Sequence, residues 1–285
     1  MDHAARLVVA PAVVGADQVV ALVHLAQREL KARHKKSILG WLWSLINPAA
    51  TLGIYTLVFG YFLKVKPPVA GNGELKSFAL YLFAALITWN CFNSIVNGSM
   101  MAFQTSGGML TKVYFPPECP AIANMLVSLV QLTIELSILI ILLIGFGNVS
   151  WTFLWVPVIV AQLVLFSTGV GLVVSLWNIR YRDVSYLIGI GLQLLFYATP
   201  VIYNPAIIPE KMGAIPVRSL FNLNPLTHFV GDMRKSLYLL ESPSLAEALP
   251  AVHSPENADQ FERARRRFVY QELFILQLAV VARRW

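Results

Sequence analysis

The chain has 285 residues, of which 57% are apolar and only 13% are Asp, Glu, Lys or Arg, with a formal net charge of +7. Soluble globular domains carry about 25% charged residues, and with a mean hydropathy of +0.64 this composition excludes both a soluble enzyme and a disordered chain. Charge is missing in blocks: none lies between Lys36 and Lys64, between Lys76 and Lys112 or between Asp183 and Glu210, and Glu135 stands alone between Glu118 and Arg180.

A hydrocarbon layer of about 30 Å takes roughly 20 apolar residues of helix. Each block is long enough, so the sequence predicts a polytopic, all-α membrane protein. The pI near 9.5 fits the basic residues that membrane proteins gather at the cytoplasmic face better than it fits nucleic-acid binding. Cys91 sits in an apolar run and Cys119 beside a proline-rich loop, which gives neither a disulfide framework nor a metal cluster.

In chain order, the apolar run Leu7–Val14 lacks a strongly basic flank and is interrupted by Pro11, so it reads as mature chain rather than a secretion signal. Residues 18–36 place Val19, Leu22, Val23, Ala26 and Leu30 at helical spacing, with Arg28, Lys31 and Lys35 largely opposite. That pattern predicts an amphipathic helix lying at a membrane surface. The first span is expected at Leu39–Leu63, kinked at Asn47-Pro48. A loop with Pro67-Pro68 and Gly71-Asn72-Gly73 follows, and the second span begins near Phe78 and is expected to decay in the polar run Asn90–Gly98.

Residues 105–120, TSGGMLTKVYFPPECP, are too polar and proline-broken to cross lipid and too apolar for a solvated loop, so a short docked helix is expected there. Spans three, four and five are expected at 121–146, 152–177 and 184–203, the last after the polar NIRYRD loop. Residues 204–242 mix prolines with short apolar runs and read as re-entrant or interfacial pieces. Basic residues in the N-terminal arm, at Lys112 and at Arg180 and Arg182 favour a cytoplasmic N-terminus.

The sequence holds no G-x-x-x-x-G-K-[ST] phosphate cradle, no His-Glu-x-x-His and no G-x-S-x-G elbow. Glu135 within a span reads either as a functional group or as a hydrogen-bonded structural one, with Gln131 as a partner. Trp41, Tyr55, Phe59 and Trp89, from a run of aromatic residues in the first two spans, are candidates to line an internal path together with Glu135. Ring faces stack on sugar C–H surfaces without immobilising them, which suits a polymer that must slide.

The order of a basic amphipathic helix, RHKKSILGWLWSLINPAATLGIYTLVFGYFLK, two spans around GGMLTKVYFPPECP, then NIRYRDV and NPLTHFVGDMRKSLY closely resembles the membrane subunits of ABC-2-type exporters of lipid-linked polysaccharide. That group includes O-antigen, capsule and teichoic-acid permeases, and the resemblance covers about residues 18–242. It implies an ABC-2 permease domain over 1–242 in a bacterial cytoplasmic membrane. It also implies pairing with a second copy and a separate ABC subunit that binds ATP, so that this chain itself holds no cofactor.

The resemblance further assigns Gly107, Gly108, Met109, Leu110, Lys112, Val113, Tyr114 and Phe115 to ATPase docking, and 204–242 to an external gate. The substrate it implies is a polymer on polyprenyl pyrophosphate, whose head would suit Arg28, Arg33, Lys35 or Lys36; anionic lipid would select the same cluster. Rival readings are an exporter of a drug or small lipid, a membrane enzyme acting on polyprenyl phosphates, and a non-transporting truncated permease.

Residues 243–285 depart from the family pattern, which has a sixth span here. The longest uncharged run, Leu273–Ala282, is ten residues, too short to cross. The stretch from His253, Pro255 and Glu256 through Arg263–Arg267 to ELFILQL resembles the segment before the motor core of RecG-type DNA helicases. The tail therefore reads as a soluble amphipathic segment foreign to the permease; a degenerate sixth span near 268–282 is the alternative.

Overall fold

The structure, a computed structural model, describes residues 42–110, 119–181, 183–211 and 216–244, with Val23, His24, Ala26, Gln27 and Leu30 of the N-terminal arm; residues 103–110 are described as backbone. The described residues are helical and contain no strand. Five main helices follow one another: α1 Trp43–Tyr55, continued by a π-helical turn at Thr56–Phe62; α2 Phe78–Leu110; α3 Cys119–Gly145; α4 Val156–Arg180, preceded by a 3-10 turn at Trp151–Trp155; and α5 Val184–Ala198. Two short helices close the described chain, α6 Val217–Leu223 and α7 Pro225–Arg234, the latter running into a π-helical turn at Lys235–Leu239.

Four helical stretches, Trp43–Phe62, Phe78–Ala102, Cys119–Gly145 and Trp151–Arg180, are long and apolar enough to cross a membrane. The fifth differs from the expected 184–203. Helix α5 has 15 residues, about 22 Å at 1.5 Å per residue, and stops where Thr199 leaves helical geometry ahead of Pro200.

Helix α2 is the centre of the bundle. It is covered over most of its length, whereas α1 is almost wholly exposed, and α2 packs most extensively on α3 and α4. The expected decay at Asn90–Gly98 does not occur: α2 continues unbroken through its 33 residues, about 50 Å. Its asparagines fall on one face rather than interrupting an apolar cylinder, so low average hydropathy there marks a lining and not an end. Residues 105–110 accordingly extend α2 instead of forming a separate short helix, and 111–118 lie outside the described residues.

Small and polar residues let these helices approach closely, as expected where lipid supplies no hydrophobic drive between them. Gly98 of α2 faces the Asn124 amide of α3 with no room for a Cβ. Asn124 Nδ2 in turn reaches the Ser94 and Ile95 carbonyls at 3.4 Å each, and Ser94 and Ser128 hydroxyls meet at 3.0 Å. On the other side, Gly171 of α4 lies against Ser99 of α2. Pro48 inside α1 has no N–H for the Ser44 carbonyl one turn earlier, and Gln131 Nε2 of α3 donates to that carbonyl at 3.4 Å.

One end of the bundle is closed by hydrogen bonds between distant loops. Gly73 and Gly147, with φ of 77° and 69°, make the two turns. Buried Asn148 donates to the Leu237 and Tyr238 carbonyls at 3.0 and 3.1 Å and accepts from the Asn72 N–H at 3.2 Å. The fully buried Tyr238 hydroxyl accepts from Ser77 N–H at 3.0 Å and donates to the Pro68 carbonyl at 3.1 Å. Asn224 caps α7 by accepting from Leu226 N–H and ties it to α5 through Thr199 Oγ1 at 2.8 Å.

At the same end Arg234 is 2% exposed. It donates to the carbonyls of Pro200 at 2.7 Å, Val201 at 2.5 Å and Tyr81 at 3.3 Å. Pro200 and Val201 follow the last turn of α5, at the negative end of its helix dipole, whereas Tyr81 belongs to the first turn of α2. Burial pushes the Arg234 guanidinium down to about 10, which leaves it cationic at neutral pH.

Candidate functional site

A cleft of 440 Å³ opens between α1, α2 and α5. Its polar side comes from Asn90, Asn93 and Asn97 of α2, with Gln193 of α5 opposite. Positions i, i+3 and i+7 share one helix face, so a single stripe of amides extends about 10 Å along α2. Asn97 Nδ2 donates to the Asn93 carbonyl at 3.1 Å and to Asn93 Oδ1 at 2.8 Å, which orders part of the stripe.

Aromatic rings make the rest of the wall: Tyr55 from α1, Trp89 from α2 and Phe196 and Tyr197 from α5. Trp89 meets Phe196 edge to face at 5.2 Å between centroids, and Phe196 meets Tyr197 in the same manner at 5.4 Å. Gly189, also in the lining, carries no side chain to fill the groove.

Glu135 sits behind this wall on α3, buried at 8% exposure. Gln131 Nε2 donates to Glu135 Oε1 at 3.0 Å, and the Asn90 side chain lies beside the same carboxyl group. The chain Ser44–Gln131–Glu135 thus runs from the α1 backbone toward the cleft lining. A buried acidic group at membrane depth is held by amides, the arrangement its cost requires.

Of the residues expected to line a path, Tyr55 and Trp89 are in the cleft and Glu135 is buried behind it on α3. Phe59 is outside the lining: its ring packs on Phe78 at 5.0 Å and on Tyr55 at 5.8 Å. Trp41 lies outside the described residues, as do Arg28, Arg33, Lys35 and Lys36 of the arm, Lys112, Val113, Tyr114 and Phe115 of the docking segment, and the tail beyond Ser244. Gly107, Gly108, Met109 and Leu110 form the last backbone turns of α2.

Sequence reasoning missed the asparagine stripe, Gln193 and Arg234. The spacing of Asn90, Asn93 and Asn97 carried the signal for the first. Gln193 and Arg234 are placed by tertiary packing and had no local mark.

Helices long enough to cross a bilayer, four of them among the described residues, define a multi-pass membrane protein with an amide-faced cleft. Residues 20–238 match the family model described as ABC-2 type transporter, and the chain belongs to that family. Among proteins it is similar to are the O-antigen export system permease protein RfbA of Klebsiella pneumoniae, 28% identical over 75% of this chain and 78% of the relative, and the protein of that name from Myxococcus xanthus, 29% identical over 81% and 85%. It is also similar to the polysialic acid transport protein KpsM of Escherichia coli, 26% identical over 80% of this chain and 86% of that one.

Proposed function

We propose that the chain is the membrane-spanning subunit of an ATP-driven exporter that moves polyprenyl-pyrophosphate-linked polysaccharide across a bacterial cytoplasmic membrane. The observation that carries this reading is the similarity, over three quarters or more of the chain, to permeases named for O-antigen export and polysialic acid transport. The cleft supports it independently: amides and ring faces without a tight, closed pocket suit a polymer that slides rather than one that is gripped.

Two copies of the chain would pair, and a separate ABC subunit would bind and hydrolyse ATP. Helix α2, about 50 Å long, exceeds the roughly 30 Å of hydrocarbon, so its far end reaches beyond the membrane toward 111–118. Arg180 belongs to the end of the bundle opposite the Asn72–Asn148–Tyr238 closure, and its charge supports a cytoplasmic assignment for that end. The docking residues would then be Gly107, Gly108, Met109 and Leu110 on the end of α2, followed by Lys112, Val113, Tyr114 and Phe115. The short helices from Pro205 to Leu239 would lie at the external face. Arg28, Arg33, Lys35 and Lys36 would meet the pyrophosphate head.

ATP can move such a permease only as far as it binds one state of the complex better than the other. Closure of the ATPase pair would be passed to α2 through the docked segment, and the cleft is on α2.

Co-purification tests the reading. An ABC ATPase encoded beside this chain is expected to purify with it, and Tyr114→Asp or Phe115→Asp is expected to abolish that association without loss of the permease itself. A complex that survives both substitutions overturns the docking assignment, and nucleotide hydrolysis by the permease alone overturns the division of labour.

A further inference from the structure

We propose that the α1–α2–α5 cleft is a glycan track that selects sugar units without charge. The inference rests on the exporter reading and adds to it the chemical class of polymer the cleft accepts.

The lining decides the point. Asn90, Asn93, Asn97 and Gln193 present carboxamides, a group with two N–H donors and a carbonyl acceptor; Asn97 directs its N–H groups to Asn93, which leaves its own carbonyl and the Asn93 N–H groups for a ligand beside Asn90 and Gln193. A sugar hydroxyl is itself donor and acceptor, so one amide stripe serves hydroxyls in many orientations. Tyr197, 56% exposed, adds a ring face, whose negative quadrupole attracts the C–H face of a pyranose. Those two elements give a weak, repeating interaction along about 10 Å of α2.

A carboxylate-bearing unit finds nothing comparable. The described lining includes no Lys, Arg or His, and an anion moved into a membrane-depth cleft without a cation loses its hydration uncompensated. The ionisable group beside the lining is an acid, Glu135, next to Asn90. The exposed Gln193 amide, unpaired among the described residues, would also be left without a partner against lipid, so the cleft needs a hydrogen-bonding occupant.

The test uses the full chain, assembled with its ATPase in nanodiscs, and saturation-transfer NMR, which reads weak binding. The probes are an oligomannose and an α2,8-linked oligosialic acid of equal length. Oligomannose is expected to bind at least about tenfold more tightly, a difference of about 1.4 kcal/mol. Asn93→Leu with Asn97→Leu is expected to weaken oligomannose by a similar factor, and Gln193→Leu, on the exposed rim, provides the same readout if the double variant does not fold. Gln193→Lys is expected to admit oligosialic acid.

Equal binding of both probes overturns charge selection and leaves the exporter reading intact. Binding of neither, by a chain still joined to its ATPase, overturns the cleft as a glycan site, as does oligomannose binding that ignores both variants. Spontaneous disulfide linkage of Gln193→Cys protomers would mean that a second copy fills the cleft, and it overturns the proposal too. The exporter reading itself fails by a separate observation, the absence of any co-purifying ATPase.

Discussion

The Arg234 guanidinium lies 4.1 Å from the centre of the Tyr81 ring, so one cation joins the first turn of α2 to the carbonyls that follow α5. The ring face attracts the charge while the planar fork reaches Pro200 and Val201 together. Lysine has the charge without the fork. Arg234→Lys is therefore expected to lower the thermal unfolding temperature of the detergent-solubilised protein, and Arg234→Met to lower it further. Removing one partner from buried carbonyls costs about 1–3 kcal/mol. Unchanged melting of Arg234→Met would show that the carbonyls find other donors.

Glycine positions separate close packing from open surface. A Cβ on Gly171 would meet Ser99 Oγ at 2.8 Å, and one on Gly98 would overlap the Asn124 amide, whereas nothing lies within 4 Å of a Cβ on Gly53. Gly98→Ala and Gly171→Ala are expected to destabilise by about 1–3 kcal/mol, the usual cost of overpacking, and Gly53→Ala to be neutral or slightly stabilising. Melting curves of the three variants check the order.

Asn178 near the end of α4 is 2% exposed, and neither of its amide atoms has a hydrogen-bond partner among the described residues. Asn178→Leu removes an unsatisfied pair and is expected to stabilise the protein by about 1–3 kcal/mol. If α4 moves to a second position in which the amide is paired, the same variant will slow transport while raising the melting temperature. A fall in stability would show that Asn178 is bonded in the membrane.

Glu135 can be tested by shape against charge. Glu135→Gln keeps an acceptor for Gln131 and is expected to fold and assemble like the natural chain. Glu135→Leu leaves the Gln131 amide short of a partner and is expected to be less stable by about 1–3 kcal/mol. Yield and monodispersity on size exclusion distinguish the two, and equal loss in both variants would mean that the ionised carboxylate itself is required.

The spans were legible because a missing charge over twenty or more residues is a physical requirement of hydrocarbon, whatever the tertiary arrangement. The end of α2 was not. Averaged along the chain, Asn90, Asn93 and Asn97 look like a span dissolving into a loop; only the angular spacing shows that they share one face and leave the helix free to continue. The length of α5 was misjudged because Thr199, Pro200 and Val201 are apolar enough for lipid, although the backbone has already turned toward Arg234. Arg234 itself reads as one member of an exposed MRK cluster. Its burial depends on carbonyls more than thirty residues earlier, a relation that no local pattern records. Tyr55 and Trp89 border the cleft, but Phe59, one turn from Tyr55, has its ring committed to Phe78.

Because α2 is continuous from Phe78 to Leu110, it behaves as a lever with no joint. A rod of about 50 Å that tilts by a few degrees about its anchored Tyr81 end sweeps its free tip through several ångströms, while the carboxamide row, partway along, travels a smaller and proportionate distance. Small strokes at the tip would therefore adjust the width of the groove without melting any turn of helix, and a kink, such as a proline substituted between Gly98 and Leu110, would uncouple the two ends.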